Sequence, residues 1–250
     1  MESYPILKRS LSSDVKKALR KYICSMSPDE SIKLPSEEDI AKNYGVSRVT
    51  IRRALDELEQ EGLIIRIHGR GTFVNRAALQ MKVNLLVGEE YRKIIERFGY
   101  QADVQLLRAY STKAPESMAD EMHLSKNERV YVVELMHYAD NHPTILSIDR
   151  IPERFLTEIP PLEAWEKITF FEFLQTYGNI VARRDSIEIR AITKGEAENQ
   201  VTPYAALMEH DALLLVDGLV FDQSNRPFDS GSVLFDTRYV RYNLIRNYET

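Results

Sequence analysis

The densest chemistry in this 250-residue chain lies in seven consecutive residues, Ser47-Arg48-Val49-Thr50-Ile51-Arg52-Arg53. Arg48 and Arg52 are four apart, so on a helix they share one face. A guanidinium grips guanine O6 and N7, or a phosphate, through two parallel hydrogen bonds. Thr50 is short enough to meet a thymine methyl or a phosphate oxygen. Further on, His68-Gly69-Arg70-Gly71 pairs a cation with two glycines. Glycine lets a backbone approach a sugar-phosphate chain or a minor groove closely. Taken singly, Arg52 and Arg53 also fit a solvated helix face. Their recurrence with Arg70 at a second element points to nucleic acid.

These side chains need a scaffold, and the flanking sequence predicts one. Val15, Ala18, Leu19, Tyr22, Ile23 and Met26 recur at helical period, so a first helix runs from about Ser13 to Met26, capped by Ser12 or Ser13. A loop with Pro28, Asp29 and Pro35 follows. Ser36 caps a second helix, whose first turn collects Glu37, Glu38 and Asp39 at the positive end of its dipole. Gly45 ends it, and Ser47 immediately caps a third helix that stops at Gly62. The apolar set of this third helix, Val49, Ile51, Ala54, Leu55 and Leu58, is too wide for one stripe, so part of it edges the surface. Two short helices joined this tightly describe a helix-turn-helix. Leu63–Ile67 and Thr72–Val74 around the glycine-rich tip read as a hairpin. Residues 1–76 therefore form a winged helix-turn-helix.

Charge divides the chain at the same place. Residues 1–76 hold 14 Lys/Arg against 11 Asp/Glu, a net +3, while residues 77–250 hold 19 against 27, a net −8. A basic front and an acidic back imply two domains with different partners. No run of about 18 apolar residues is present, which argues against a membrane-spanning helix. Met1–Ser10 lacks the apolar core of a secretory leader. A single cysteine, Cys24, cannot form an internal disulfide or a thiolate metal cluster. The expected location is the cytoplasm, with no cofactor.

Residues 77–87 read as a linker of no evident conformation. Beyond it strands and helices alternate. Helices are predicted at Glu90–Phe98, Ser117–Met122, Phe170–Tyr177 (closed by Gly178) and Glu196–Met208 (broken near Pro203). Strands are predicted at Ala102–Tyr110, Arg129–Tyr138, Thr144–Ile151, Asp185–Thr193, Ala212–Phe221 and Pro227–Phe235. Residues 139–143 make a hairpin loop, and Ile187, Ile189 and Ala191 alternate as in a half-buried strand. The fold class is α+β: a winged helix-turn-helix, then a mixed domain over residues 88–250 with a mostly antiparallel sheet.

Several stretches of the front domain resemble the DNA-binding domain of GntR-family bacterial transcription regulators. They are Leu34-Pro35-Ser36-Glu37, Val46 to Leu55, Glu61-Gly62-Leu63 and Gly69-Arg70-Gly71-Thr72-Phe73-Val74. The resemblance implies that Lys33, Ser36, Glu37, Ser47, Arg48, Thr50, Arg52, Arg53, His68, Gly69 and Arg70 lie at the DNA surface. Lys33 stands where that family often has Arg, which weakens a bidentate contact there. The back domain is similar to the HutC-type (UTRA) effector domain, with its chorismate-lyase-like fold. The likeness rests on Arg129–Val133 with the Asp140–Pro143 turn, on Phe170–Leu174 with Tyr177-Gly178, and on the Asp222–Pro227 turn. It implies a homodimer, a palindromic double-stranded operator, and a small-molecule effector in each back domain.

Sugar-phosphate sensors of that type carry an Arg-x-Arg pair where this chain has Leu135 and His137, so a phosphosugar effector is not expected. His137, Ser147, Asp149 and Thr169 are candidate pocket residues, with Arg150 and Arg183 as candidate anion partners. Each also has a plain structural role open to it: Thr169 as a helix cap, Asp149 as the partner of Arg150 or Arg184. No nucleophile motif, phosphate loop or metal-spaced set of histidines appears, and fold alone does not make an enzyme. The expectation is a regulator, read as a repressor. A DNA-bound dimer without ligand is one alternative and an enzyme of the chorismate-lyase-like fold another; against the first, polar Ser147, Asp149 and Arg150 among Ile145, Leu146, Ile148 and Ile151 suit a pocket better than a dry interface.

Overall fold

The computed structural model describes residues 11–26, 33–125 and 127–245. The sequence readings of Met1–Ser10 and of Pro28 and Asp29 lie outside the described residues. The chain divides into two compact units. One is Glu89–Arg241; the other joins the residues up to Gly88 with those from Tyr242 onward.

In the first unit α1 spans Leu11–Cys24. It begins earlier than its apolar periodicity implies, so Ser12 and Ser13 lie within the first turn rather than capping it. Helix α2, Glu37–Tyr44, is capped by Ser36, whose side chain accepts the Asp39 N–H at 3.2 Å, and it ends on Gly45 at φ 63°. Helix α3, Arg48–Gln60, is capped in the same way by Ser47, which accepts the Thr50 N–H at 3.2 Å. Leu19, Ile23, Ile51, Leu55 and Leu58 form the centre of the three-helix core. The excess apolar residue of α3 is Val49, 77% exposed.

Strands β1 (Ile64–Ile67) and β2 (Gly71–Val74) pair antiparallel as the wing. Lys33 bridges to Phe73, and the Leu34 N–H reaches Thr72 O at 2.9 Å, which adds a short third edge. The predicted linker opens with a helix, α4 (Arg76–Gln80), because Asn75 accepts the Ala77 N–H and Ala78 is buried.

The second unit contains α5 (Tyr91–Arg97), β3 (Ala102–Lys113), α6 (Glu116–Glu121), β4 (Arg129–Ala139) and β5 (His142–Pro152). After these come α7 (Phe170–Phe173), β6 (Arg184–Thr193), α8 (Lys194–Gln200), β7 (Ala212–Phe221) and β8 (Pro227–Phe235). The sheet order is β3-β4-β5-β8-β7-β6, antiparallel at every pairing.

Three local predictions change. The β4–β5 connection is tighter than a five-residue loop: Asp140 (φ 49°) and Asn141 (φ 70°) turn the chain alone, as in a two-residue hairpin with positive φ at both positions. Helix α7 is a single turn that widens into a π-type turn over Leu174–Gly178, and the left-handed residue is Asn179 rather than Gly178. In edge strand β6, Ile187 and Ile189 stay 39% and 38% exposed and Ala191 is exposed as well, so the predicted half-burial is not found; Ile192, on the other face, is the buried residue.

Paired residues of an antiparallel sheet share a face. On one face Val132, Met136, Leu146, Ile148, Leu215 and Leu234 pack with Met118, Met122, Ala197 and Met208. On the other, Tyr131, Val133 and Ile151 pack with Trp165, Phe173, Leu174 and Phe228. This second face carries Ser147, Asp149 and His137.

Candidate nucleic-acid interface and effector site

Capping creates the first site. The Ser47 hydroxyl holds the Thr50 amide and also lies 2.8 Å from the Thr50 hydroxyl, so the start of α3 is rigid. Arg48, Val49, Arg52 and Arg53 project from it, all exposed. Among the described residues no ion pair engages Arg48, Arg53 or Arg70. Arg52 differs: its Nη2 and Nε meet Glu37 Oε2 at 2.9 and 3.2 Å, and Glu37 is anchored in the first turn of α2. The hydrogen bond from Arg52 to the Glu37 carboxylate and the charge of that carboxylate push the Arg52 pKa up. At the wing, a Cβ built on Gly69 (φ 72°) would meet nothing within 4 Å beyond its chain neighbours, so the tip has open space on that side. Gly71 (φ 108°) has the opposite constraint: a Cβ there would lie 2.9 Å from Lys33 Cε, and Lys33 sits 5.9 Å from the Phe73 ring centroid. Lys33 is thereby placed along β2, against Gly71 and Phe73. Ser36 caps α2, and Glu37 pairs with Arg52.

The second site is built by register. Ser147 lies opposite Leu135 and Val233, and Asp149 opposite Val133 and Gly231. Gly231 leaves the floor open: a Cβ there would stand 3.7 Å from Asp229 Oδ2 and 3.9 Å from Asp149 Oδ1. Two carboxylates therefore converge on one glycine. Asp229 is 1% exposed, and its Oδ1 accepts the Arg150 N–H at 3.0 Å. Burial pushes the Asp229 pKa well up, and the neighbouring Asp149 raises it further. Burial likewise raises the Asp149 pKa, to about 7, against the charge of Arg150 and a hydrogen bond from Ser147, with Glu90 adding to the rise. Glu90 is itself raised by burial, opposed by the Phe171 N–H at 3.3 Å, Thr169 and Lys93.

Of the residues predicted for a pocket, Ser147 and Asp149 share this cluster, and Thr169 joins it through Glu90. Thr169 is also the cap of α7, in a reciprocal box with Glu172. His137 lies on the same face farther along β4, opposite Ile145, with its ring edge-on to Tyr91 at 5.1 Å. Its Nε2 is buried without a partner among the described residues, and burial with Arg92 nearby pushes its pKa down to about 3. Arg150 turns to the opposite face, where its guanidinium donates to Ser232 at 3.2 Å. Arg183 is exposed at the start of β6, where its N–H reaches Phe221 O. The sequence reading missed Glu90 and Asp229. Asp229 had a usable signal, a charge inside an apolar strand like that of Asp149; Glu90 looked like an ordinary helix start.

The raised carboxyl carries a prediction. An unfolded Asp loses its proton near its ordinary value of 3.8, while folded Asp149 keeps it up to about 7. The stability linked to this proton is full below about pH 4 and is lost as the pH rises through 7. Asp149→Asn keeps the shape without the charge. It should raise the melting temperature at pH 8 and leave it unchanged at pH 4; equal shifts at both would contradict the assignment.

Comparison with known proteins agrees with the fold of both units. The family of bacterial regulatory proteins of the gntR type matches residues 11–74, and the UTRA domain matches residues 98–241, more than half of the chain. The HTH-type transcriptional regulator YurK of Bacillus subtilis is 24% identical, over 96% of this chain and 94% of its own. The HTH-type transcriptional repressor NagR of the same organism is 23% identical, over 85% and 84%. The crystal structure of the possible transcriptional regulator YydK of B. subtilis superposes with a TM-score of 0.75 at 18% identity, covering 94% of this chain and 100% of that one. No helix among the described residues is long and apolar enough to cross a membrane. The chain therefore belongs to the GntR-family transcriptional regulators that carry a UTRA effector domain.

Proposed function

We propose that the chain is a repressor that binds a palindromic operator as a homodimer, and that a small molecule at the Asp149–Asp229–Glu90 cluster sets its grip on DNA. The observation that carries the reading is the capped, exposed start of α3, which presents Arg48, without an ion pair among the described residues, beside an Arg52 oriented by Glu37, with Arg70 on the wing tip. Exposed Val49 between Arg48 and Thr50 suits a thymine methyl. Repression is supported by the name of the relative NagR. The open edge of β6, with Ile187 and Ile189 on the face of Asp149, supports a second copy, because an exposed edge strand is a ready pairing surface. Converging carboxylates favour an effector that offers hydroxyl or ammonium hydrogens and disfavour a phosphate.

The test is sedimentation of the full chain with operator duplexes selected from random DNA. Two protomers per palindrome, and one per half-site, are expected. One protomer on the intact palindrome would refute the dimeric reading. Amines and polyols that release wild-type protein but not Asp149→Asn would identify the effector class, whereas release of both alike would move the effector elsewhere.

A further inference from the structure

The end of α3 is held by residues from the far end of the chain. Asn243 bridges Asn84 in parallel: its N–H donates to Val83 O at 2.9 Å, and its carbonyl accepts the Leu85 N–H at 2.9 Å. Val83 is fully buried. Two residues on, Ile245 packs against the three-helix core. Its seat is Gly62, the residue at which α3 gives way to the wing. Gly62 has φ 74°, and a Cβ there would stand 3.1 Å from Ile245 Cβ and 3.4 Å from its Cδ1 and Cγ2. A glycine is thus required twice, for its backbone and for the approach of Ile245.

The neighbouring atoms converge on the same joint. Asn84 Nδ2 donates to Glu61 O at 3.0 Å, and Asn75 Nδ2 donates to Gly62 O at 2.9 Å. The Glu61 side chain pairs with Lys16 and Arg20 of α1. The turn that sets the direction of the wing against α3 is therefore fixed on three sides, and residues 242–245 supply one of them. They follow β8, the strand of Asp229 and Gly231, after the short segment 236–241. The chain crosses between its two units twice, at 88–89 and at 241–242.

We infer that Asn243 and Ile245 are positioning residues for DNA reading. The backbone of residue 243 clips the linker, and the Ile245 side chain sets the angle between α3 and the wing. Both elements must meet one DNA duplex at once, so a loosened joint weakens operator binding without removing any DNA contact. The linker 77–87 is then only one of two covalent routes by which a change in the second unit reaches the reading head.

The test uses the full chain and a selected operator duplex, with affinity, active fraction and affinity for unrelated DNA measured together. Ile245→Ala should bind at full stoichiometry with operator affinity lowered by about tenfold, while affinity for unrelated DNA stays unchanged. Ile245→Val should restore most of the loss. Asn243→Pro, which removes the donor to Val83 O, should behave like Ile245→Ala. Asn243→Ala, which keeps the backbone bonds, should match wild type. Unchanged operator affinity in both Ile245→Ala and Asn243→Pro would overturn the inference. A fall in active fraction with parallel losses on operator and unrelated DNA would also overturn it, because that pattern marks unfolding rather than misplacement.

Discussion

The double variant Arg48→Ala/Arg52→Ala is expected to lose the distinction between operator and unrelated DNA, a fall of about a hundredfold or more in operator affinity. The two guanidinium groups lie one helical turn apart at the rigid, Ser47-capped start of α3, where a recognition helix meets base edges. Arg48 has no competing partner among the described residues. Arg52 leans on Glu37, but an exposed pair of this kind holds its cation weakly, so the contact orients Arg52 more than it withholds it. Ordering a long side chain before binding lowers the cost of binding. Glu37→Gln should therefore weaken the operator complex mildly, by loosening Arg52, rather than strengthen it by freeing a charge. The salt dependence of the double variant should flatten by about one to two units if either arginine also meets phosphate. Operator affinity within a factor of about two of wild type would reject base reading by this face.

Phe173→Ala is expected to be the most destabilising single change in the second unit, by about 3–5 kcal/mol. Phe173 is fully buried, with ring centroids 4.4 Å from Trp165, 5.9 Å from Tyr177 and 6.3 Å from Phe170. It is the inward residue of the one-turn helix α7, whose cap Thr169 reaches Glu90 beside Asp149. Removing the ring leaves a cavity under that helix, so the site should loosen along with the fold. The chain has one tryptophan, Trp165, and it touches Phe173, so urea unfolding followed by its fluorescence reports this unit directly. A loss below about 1 kcal/mol would mean that the aromatic cluster closes over the gap, and that α7 does not depend on it.

How much of this was legible from residue order follows from the range of the interactions. The helix-turn-helix was legible because its signals are local: Ser36 and Ser47 sit at caps, Gly45 at a left-handed stop, and the arginines one turn apart. The α+β class and all six strands of the sheet were legible from alternation and turn residues. What escaped was set at long range. The excess of apolar residues on α3 resolved onto Val49 only once the core had chosen Ile51, Ala54, Leu55 and Leu58. The pairing of Asp149 with Asp229 depends on β5 lying beside β8, strands that are distant in sequence. Arg150, adjacent to Asp149 in sequence, falls on the opposite face because strand side chains alternate. Ile245 against Gly62 joins residues far apart in sequence, and no local pattern announces it.

The central claim is that Arg48, Arg52 and the wing tip read a particular duplex. Fluorescence anisotropy tests it most directly, with the full chain titrated into an operator duplex selected from random DNA, at two salt concentrations and in excess unrelated competitor. Binding should survive competitor, weaken with salt, and disappear in Arg48→Ala/Arg52→Ala. Binding that vanishes with competitor, or that the double variant retains in full, would contradict it.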